Sequence, residues 1–306
     1  MDILSNKWLQ VEFTENGAEM QRILGLHSKH EYLWNGDPTY WDRHNPLLFP
    51  IVGKLRNGET KIKGSTYKIP KHGFISNEKF EKIKQTDNTL VYRLESTPSM
   101  HRNFPYPFRM DVIYKLRANY ITVFWKILNT GLELMPFQIG GHPGINYPHF
   151  DPEAELKGYI KFRRPSPVES ATVGKTGCLG KKHYDLPLED GLLPVTDSCF
   201  KNDSIIVDRN QVKHIDFLDV NKKLYVSLES EAPVTLLWSP YGVKAPFICM
   251  EPWYGLCDAE NYEGDFFHRP YTNLVDPGHC AILSYSLHME AEVSHHFFDV
   301  ENNDDM

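Results

Sequence analysis

Three polar side chains stand at the ends of apolar stretches of the sequence, and their types suit acid–base chemistry. They are His72, His142 and Glu251. Each lies in a short motif that contains glycine or proline: Lys71-His-Gly-Phe74, Gly140-Gly-His-Pro-Gly144 and Met250-Glu-Pro-Trp253. A carboxylate and an imidazole can exchange protons with a substrate near neutral pH when their surroundings adjust their pKa values. We therefore expect a proton-transfer site.

Glu251 stands in the setting least suited to a carboxylate. The residues Phe247-Ile-Cys-Met250 precede it, and Pro252 and Trp253 follow. An unpaired buried carboxylate is costly, so this side chain is either paired or catalytic. Desolvation would raise its pKa toward the range in which a carboxylate acts as a general base near neutral pH. The structural alternative is a glutamate bonded to backbone amides at a sheet edge.

His142 follows an apolar run and two glycines, and Pro143 fixes the backbone directly after it. This pattern predicts a histidine held at a rigid strand exit, although a histidine satisfied by backbone bonds in a loop fits it too. Two histidines and a glutamate could also bind zinc, as in a metal hydrolase that uses His72, His142 and Glu251. They come from three distant segments, and no H-x-x-x-H or H-x-H pair occurs, so we expect no metal site.

Strand patterns dominate the elements that must position these groups. Short β-rich stretches recur at spacings of roughly 8 to 12 residues, and no helix-period stretch exceeds about two turns, which predicts an all-β fold, a large antiparallel β-sandwich. The doubly apolar stretch Tyr120 to Asn129 is expected to be a central strand, and residues 151–190 an irregular surface excursion. We predict one domain over residues 1–290 and an acidic C-terminal tail over residues 291–306.

Composition excludes several function classes. The 306 residues include 33 basic and 40 acidic side chains, which leaves no basic surface for nucleic acid. The first residues resemble no export signal, and no run of 18 apolar residues could span a membrane. The five cysteines are scattered without a C-x-x-C pair, which is typical of a reducing cytoplasm. The aromatic content of 13% suits both β-structure and a site that stacks on sugar faces.

Four segments together resemble the aldose 1-epimerase (galactose mutarotase) family, and in particular its LacX-like branch. In chain order they are Asn45-Pro-Leu-Leu-Phe-Pro-Ile-Val-Gly-Lys-Leu55, Tyr67-Lys-Ile-Pro-Lys-His-Gly-Phe74, Gly140-Gly-His-Pro-Gly-Ile-Asn146 and Met250-Glu-Pro-Trp253. The resemblance implies a β-sandwich of galactose-mutarotase type. It also implies interconversion of the α and β anomers of a hexose without a metal or another cofactor.

The resemblance assigns roles by position. Glu251 takes the place of the family's general base and His142 that of its general acid, while His72 matches a histidine that helps to bind the sugar. The family's substrate-binding arginine falls on Lys54, which is a departure. Arg56 is the rival for this role, because an extended chain would point both side chains the same way.

Several further residues are candidates for contact with the sugar. Asp203 is the first choice for the family's sugar-binding aspartate and Asp197 the second. Trp253 or Phe74 could lie against a sugar face, or either could be part of the core. A free hexose is expected. A phosphorylated hexose is possible because a set of cations could meet a phosphate: Lys54, Arg56 and Lys71. A non-catalytic sugar-binding or sugar-sensing protein is the alternative, and the Lys54 departure favours it.

Overall fold

The chain alternates short apolar stretches with turn residues, and it folds into strands joined by turns. The computed structural model describes residues 1–164 and 167–290. These residues form 24 strands and five short 3-10 turns, with no α-helix among them. The strands are β1 (Asp2–Ser5), β2 (Leu9–Phe13), β3 (Met20–Gly25), β4 (Leu47–Leu48), β5 (Glu59–Ile62), β6 (Ser65–Lys68), β7 (Glu81–Gln85), β8 (Thr89–Glu95), β9 (Phe108–Arg117), β10 (Tyr120–Asn129), β11 (Met135–Phe137), β12 (Ile139–Gly141), β13 (Gly144–Asn146), β14 (Gly158–Phe162), β15 (Glu169–Val173), β16 (Leu179–Asp185), β17 (Leu192–Val195), β18 (Ile205–Val207), β19 (His214–Leu218), β20 (Leu224–Ser230), β21 (Val234–Trp238), β22 (Phe247–Tyr254), β23 (Asn273–Val275) and β24 (Cys280–Met289). The 3-10 turns are Arg56–Gly58, Ile75–Asn77, Met100–Arg102, Asp197–Phe200 and Phe266–His268.

Two large antiparallel sheets dominate this architecture. One has nine strands in the order β17-β14-β19-β20-β24-β10-β9-β8-β7, and the other has eight in the order β16-β15-β18-β21-β22-β12-β4 with β13 also paired to β22. The apolar strand β10 lies inside the nine-stranded sheet, as expected. The prediction of an all-β antiparallel sandwich is confirmed.

Strand β22 shows why the sheets pack as they do. Its alternate residues Ile248, Met250 and Tyr254 belong to the large core shared with the nine-stranded sheet. The Tyr254 hydroxyl donates to the carbonyl of Ser284 on β24, which ties the two sheets together at 2.8 Å. Because successive side chains of a strand point to opposite faces, the intervening residues of β22 face away from this core.

The outward face of the eight-stranded sheet carries two smaller apolar clusters. One contains Trp253, Leu236 and Ile206, and the other contains Phe247 and Cys249. Glu251 lies on the same face of β22, between Cys249 and Trp253 in the alternation. On the outer face of this sheet, Glu251 is therefore a polar group among buried apolar side chains.

The prediction that residues 151–190 form an irregular surface excursion is wrong. Three strands, β14 to β16, form there and join both large sheets. The single domain over residues 1–290 stays a prediction, and the acidic tail over residues 291–306 lies outside the described residues. Within the part of the chain that the structure describes, no helix has the length and apolar character needed to cross a membrane.

Gly73 holds the chain in a position that no other residue fits. Its φ is +78°, in the left-handed region, and it pairs in a parallel bridge with Phe49. A Cβ on this residue would lie 1.9 Å from the carbonyl oxygen of Phe49. The close approach of the two backbones fixes the neighbouring His72, whose own φ is +65°.

We expect Gly73→Ala to destabilise the protein far more than a matched substitution at Gly64. Gly64 has the same φ of +78° in the β5–β6 turn, but no atom lies within 4 Å of its Cβ position. Backbone strain alone should cost Gly64→Ala about 1–2 kcal/mol, whereas the clash at Gly73 should bring the loss above about 3 kcal/mol. Urea unfolding of both variants measures this difference. Equal losses of unfolding free energy in the two variants would show that the backbones at Phe49 and Gly73 can move apart with no loss of stability.

Candidate active site

A pocket of about 460 Å³ opens on the outer face of the eight-stranded sheet. The structure brings the three candidate acid–base residues, His72, His142 and Glu251, together in its lining. Lys54 and Asp203 line it as well. Residues from distant parts of the sequence thus meet at one place, because β12, β13 and β22 are neighbours in the sheet.

Glu251 forms the buried floor of the pocket, and its residue surface is 0% exposed. Its Oε2 accepts a hydrogen bond from the indole Nε1 of Trp253 at 3.0 Å. Its Oε1 is buried without a hydrogen-bond partner among the described residues. Burial raises the pKa of Glu251 well above its ordinary value, while the charge of Lys71 and the Trp253 hydrogen bond oppose this shift. The carboxyl group is therefore oriented, desolvated and open at one oxygen.

His142 lies between β12 and β13 in the chain, and both of these strands pair with β22, which carries Glu251. The two side chains are therefore neighbours on the sheet. The Nε2 of His142 lies 3.2 Å from Glu251 Oε1, although the orientation does not make a hydrogen bond, and its Nδ1 has no partner in the described structure. The ring of Trp41 packs on the imidazole with centroids 4.8 Å apart. Burial, helped by the charge of Lys71, lowers the pKa of His142 to about 3.

His72 presents a fixed donor to the pocket. Its Nδ1 accepts a hydrogen bond from the backbone N–H of Gly53 at 3.1 Å, so the ring proton must sit on Nε2 when the ring is neutral. Burial, with the neighbouring His142 and Lys71, lowers the pKa of His72 well below its ordinary value. The side chain is thus a neutral imidazole with one N–H free for an oxygen acceptor.

These shifts act in opposite directions on the two members of the Glu251–His142 pair. We expected both pKa values to lie near neutral, and that expectation is wrong for His142, because its burial disfavours the imidazolium. Both shifts disfavour charge, so burial favours the neutral carboxyl–imidazole form of the pair over the carboxylate–imidazolium form. Because Glu251 Oε1 and His142 Nε2 lie 3.2 Å apart, their titration belongs to the pair.

Lys54 and Arg56 do not point the same way, contrary to expectation for an extended chain. Lys54 lines the pocket and its Nζ donates to the carbonyl of Thr176 at 2.7 Å. Arg56 begins a 3-10 turn, and its Nη1 donates to the carbonyl of Tyr262 at 2.9 Å in a different depression of the surface. The turn after Leu55 therefore separates the two cations, and only Lys54 is placed to meet a ligand beside Glu251.

Comparison with known proteins agrees with this fold. The sequence profile described as aldose 1-epimerase matches residues 3–272. The plasmid-encoded protein LacX of Lactococcus lactis subsp. lactis is 30% identical over 297 residues, covering 93% of this chain and 97% of that protein. The chain belongs to the aldose 1-epimerase family. Membership implies an isomerase that acts on a sugar.

Solved structures show the same relationship in three dimensions. A galactose mutarotase related enzyme from Lactobacillus acidophilus superposes with a TM-score of 0.88 at 28% identity, covering 95% of this chain and 97% of that one. A galactose mutarotase-like protein from Lactobacillus casei also gives a TM-score of 0.88, at 25% identity, covering 95% and 100% of the two chains. The fold is thus the galactose-mutarotase type of β-sandwich.

The two candidate aspartates lie in different places. Asp203 is exposed at the edge of the pocket that holds Glu251, and its proximity contributes to the raised pKa of that residue. Asp197 lines a separate cavity, where its carboxylate accepts hydrogen bonds from the N–H of Gly242 at 3.2 and 3.3 Å. Of the two, Asp203 alone lines the pocket.

The two candidate stacking residues also differ. Trp253 lines the pocket and orients Glu251. Phe74 packs instead against the large core, because the turn at Gly73 directs the chain into the 3-10 turn that begins at Ile75. The expectation that Phe74 contacts a sugar is corrected to a role in packing.

Three residues that line the pocket were not predicted from the sequence: Trp41, Trp238 and Arg43. Trp41 and Trp238 both contact His142, with ring centroids 4.8 and 5.9 Å from its ring, and they also contact each other at 5.9 Å. Arg43 donates to the amide oxygen of Asn77 at 2.6 Å at the pocket edge. The aromatic residues of the loop that ends at the Asn45 motif were the available signal for Trp41, since exposed aromatics beside a functional motif are typical of binding loops.

The buried carboxyl group should make stability depend on pH. An unfolded glutamate titrates near about 4.3, and the folded pKa of Glu251 is higher, so folded protein binds more protons between these values and loses stability as pH rises. The side chain in Glu251→Gln cannot ionise. As pH rises through this window, the unfolding free energy of the parent should therefore fall relative to that of Glu251→Gln, by on the order of 1 kcal/mol per pH unit.

Urea unfolding at a series of pH values from about 4 to 9 tests this sign. Glu59→Gln is the control, because it removes the same charge from an exposed position on β5. A difference between Glu251→Gln and the parent that stays constant with pH would contradict the raised pKa.

Proposed function

We propose that this chain is an aldose 1-epimerase that interconverts the α and β anomers of a hexose, with Glu251 as general base and His142 as general acid. The observation that carries the proposal is the buried pair itself. Glu251 Oε1 and His142 Nε2 lie 3.2 Å apart in one pocket, and Glu251 Oε1 and His142 Nδ1 each lack a hydrogen-bond partner among the described residues. A sugar hydroxyl can supply the missing partner of Glu251 Oε1, and Nε2 is the nitrogen of His142 that lies beside that oxygen.

The proposed reaction uses the single proton of the pair. In the carboxylate–imidazolium form, Glu251 accepts the proton of the C1 hydroxyl while His142 protonates the ring oxygen, and the C1–O5 bond breaks. This step leaves Glu251 protonated and His142 neutral, which is the form that burial favours. The open-chain aldehyde then rotates about C1–C2. Ring closure on the other face reverses both proton transfers.

The remaining pocket residues would hold the sugar. His72 offers its Nε2–H, Lys54 a charged donor, and Asp203 an acceptor for hydroxyl groups. Trp41 and Trp253 provide apolar surface at the same pocket. No step of this scheme needs a metal or another cofactor, because the charge that develops on the ring oxygen is met by a proton.

We propose a free hexose as substrate and the cytoplasm as the location. All five cysteines are free thiols, which supports a reducing compartment. A phosphorylated hexose is the second candidate, since Arg43, Lys54 and Lys71 line the pocket and Lys71 has no hydrogen-bond or ion-pair partner among the described residues. Arg56, expected to join such a phosphate site, points elsewhere.

Polarimetry with freshly dissolved α-glucose or α-galactose tests the proposal directly, and exchange spectroscopy by NMR extends it to 6-phosphorylated sugars. The protein should raise the rate of anomer exchange above the buffer rate. A protein that binds these sugars but leaves the rate at its buffer value would be the non-catalytic sugar-binding alternative.

Glu251→Gln should reduce the rate of anomer exchange by about 10²–10⁴ while sugar binding survives. The amide keeps the shape of the side chain and removes the proton acceptor. Calorimetric titration with the sugar measures the binding, and Glu59→Gln serves as the exposed control. A variant that keeps more than about a tenth of the activity would remove Glu251 from this role.

The pH–rate profile should follow the proton count of the pair. The singly protonated pair exists between about pH 3, the pKa of His142, and the raised pKa of Glu251. Activity should therefore persist into acid solution and fall in alkaline solution as the pair loses its proton. In His142→Asn the residual activity needs an ionised Glu251, so it should rise with pH instead.

Values of kcat/KM across about pH 4 to 10 distinguish the two profiles. His279→Asn is the matched control, because His279 is exposed and outside the pocket lining. A parent profile that rises through neutral pH and then stays flat would refute the shared proton.

Lys54→Met should lower kcat/KM by roughly 1.5–3 kcal/mol, the scale of a lost charged hydrogen bond. Arg56→Met should leave it unchanged, because the Arg56 guanidinium bonds to Tyr262 away from the pocket. The same anomer-exchange assay measures both. If Arg56→Met abolished activity and Lys54→Met did not, the assignment of the sugar-binding cation would be reversed.

A further inference from the structure

Cys249 is a buried thiol beside the acid–base pair that the proposed reaction does not use. It precedes Glu251 by two residues on β22, so both side chains point to the outer face of the sheet. The strand register also sets Cys249 opposite Gly144, just beyond His142. One ligand atom each from His142, Cys249 and Glu251 lies within 4.8 Å of the others.

The protein leaves one of these candidate ligand atoms unpaired. Glu251 Oε1 is buried without a hydrogen-bond partner among the described residues. Trp253 occupies the other carboxylate oxygen and thereby fixes the direction in which Oε1 points. Unpaired buried polar atoms raise the free energy of the folded state, so a ligand that pairs them gains binding free energy.

We propose that His142, Cys249 and Glu251 form an inhibitory binding site for zinc or a similar thiophilic divalent cation. Tetrahedral zinc has ligand distances of about 2.0–2.3 Å, which separate neighbouring ligand atoms by roughly 3.3–3.6 Å. Glu251 Oε1 and His142 Nε2 are already 3.2 Å apart. The Cys249 sulfur lies within 4.8 Å of the other two ligand atoms. It therefore needs a shift of no more than about 1.5 Å, and the pocket leaves the fourth position to water.

The mixed donor set determines which cations fit. A thiolate, an imidazole and a carboxylate suit zinc, cadmium and cobalt, whereas magnesium and calcium prefer oxygen ligands alone. Hard cations should therefore have no effect at this site. The pocket gives a cation a route to the donors, because His142 and Glu251 both line it.

Inhibition follows from the proposed function, on which this consequence rests. A bound cation occupies the carboxylate oxygen that would accept the C1 hydroxyl proton and an imidazole nitrogen of the acid. The pair then holds no mobile proton, so anomer exchange stops. Removal of the metal by a chelator restores it. The metal site and the reaction thus compete for the same two side chains.

Substitution of Cys249 tests metal binding separately from catalysis, because Cys249 takes no part in the proposed reaction. Cys249→Ala and Cys249→Ser should keep the parent rate of anomer exchange and raise the zinc concentration for half-inhibition at least about tenfold. Cys257→Ala is the matched control, because Cys257 is a buried thiol that lines the same pocket outside the donor group. It should remain as sensitive to zinc as the parent.

Cobalt binding provides a readout that does not depend on activity. Titration of the full chain with Co²⁺ should produce a thiolate-to-cobalt charge-transfer absorption, present in the parent and Cys257→Ala and absent in both Cys249 variants. Rates are compared with a blank that contains the same metal without protein. If the charge-transfer band appears but the protein never accelerates anomer exchange, the metal site stands and the proposed function fails.

Two results would overturn the proposal. One is the absence of a cobalt–thiolate band in the parent protein. The other is zinc inhibition that is equally strong in the parent and in both Cys249 variants, which would place the inhibitory metal elsewhere.

Discussion

The removal of the Glu251 carboxyl group from water is the constraint on which the site depends. A strand that alternates between two apolar environments carries this group, with the main core behind it and smaller clusters around it. Desolvation makes the carboxylate a stronger base than it would be in water, because the charged form loses its hydration. The same desolvation acts in the opposite sense on His142 and makes the imidazolium a stronger acid. Burial thus raises the pKa of Glu251 and lowers the pKa of His142.

Strand pairing converts this constraint into geometry. The strands β12 and β13 pair with β22 on either side of His142 and Pro143, so the imidazole is held opposite Glu251 by backbone hydrogen bonds rather than by a flexible loop. Glycine is needed within these strands because a Cβ on Gly140 would lie 2.9 Å from the Trp253 ring. The indole occupies that space and donates to the carboxyl group. The packing of this part of the sheet and the orientation of the Glu251 carboxyl group therefore depend on one side chain.

The sequence could reveal groups whose local setting is unusual, and it could not reveal contacts between distant segments. Glu251 stood out because an apolar run precedes it, and His142 because glycine and proline surround it. The divergence of Lys54 and Arg56 depends on a 3-10 turn in which Asn57 has a φ of 58°, and no strand pattern predicts that.

Other outcomes were decided by tertiary packing. The strands β14 to β16 were missed because their exposed lysines and nearby glycines resemble loop composition. Trp41 and Trp238 reach His142 only in the folded sheet. The four sequence motifs were sufficient for the family and the fold, while the directions of the two pKa shifts required the three-dimensional burial.

The backbone hydrogen bond from Gly53 to His72 also fixes what this side chain can offer a ligand. Because Nδ1 is occupied as an acceptor, His72 can meet a ligand only as a donor, and Lys54 and Arg43 likewise offer only hydrogens. A hydroxyl group can turn a lone pair toward such a surface, whereas the ammonium of a hexosamine cannot. An amino group placed there would set donor against donor and like charge against like charge. These three side chains therefore form a donor surface, whereas the Asp203 side chain at the pocket edge offers oxygen acceptors.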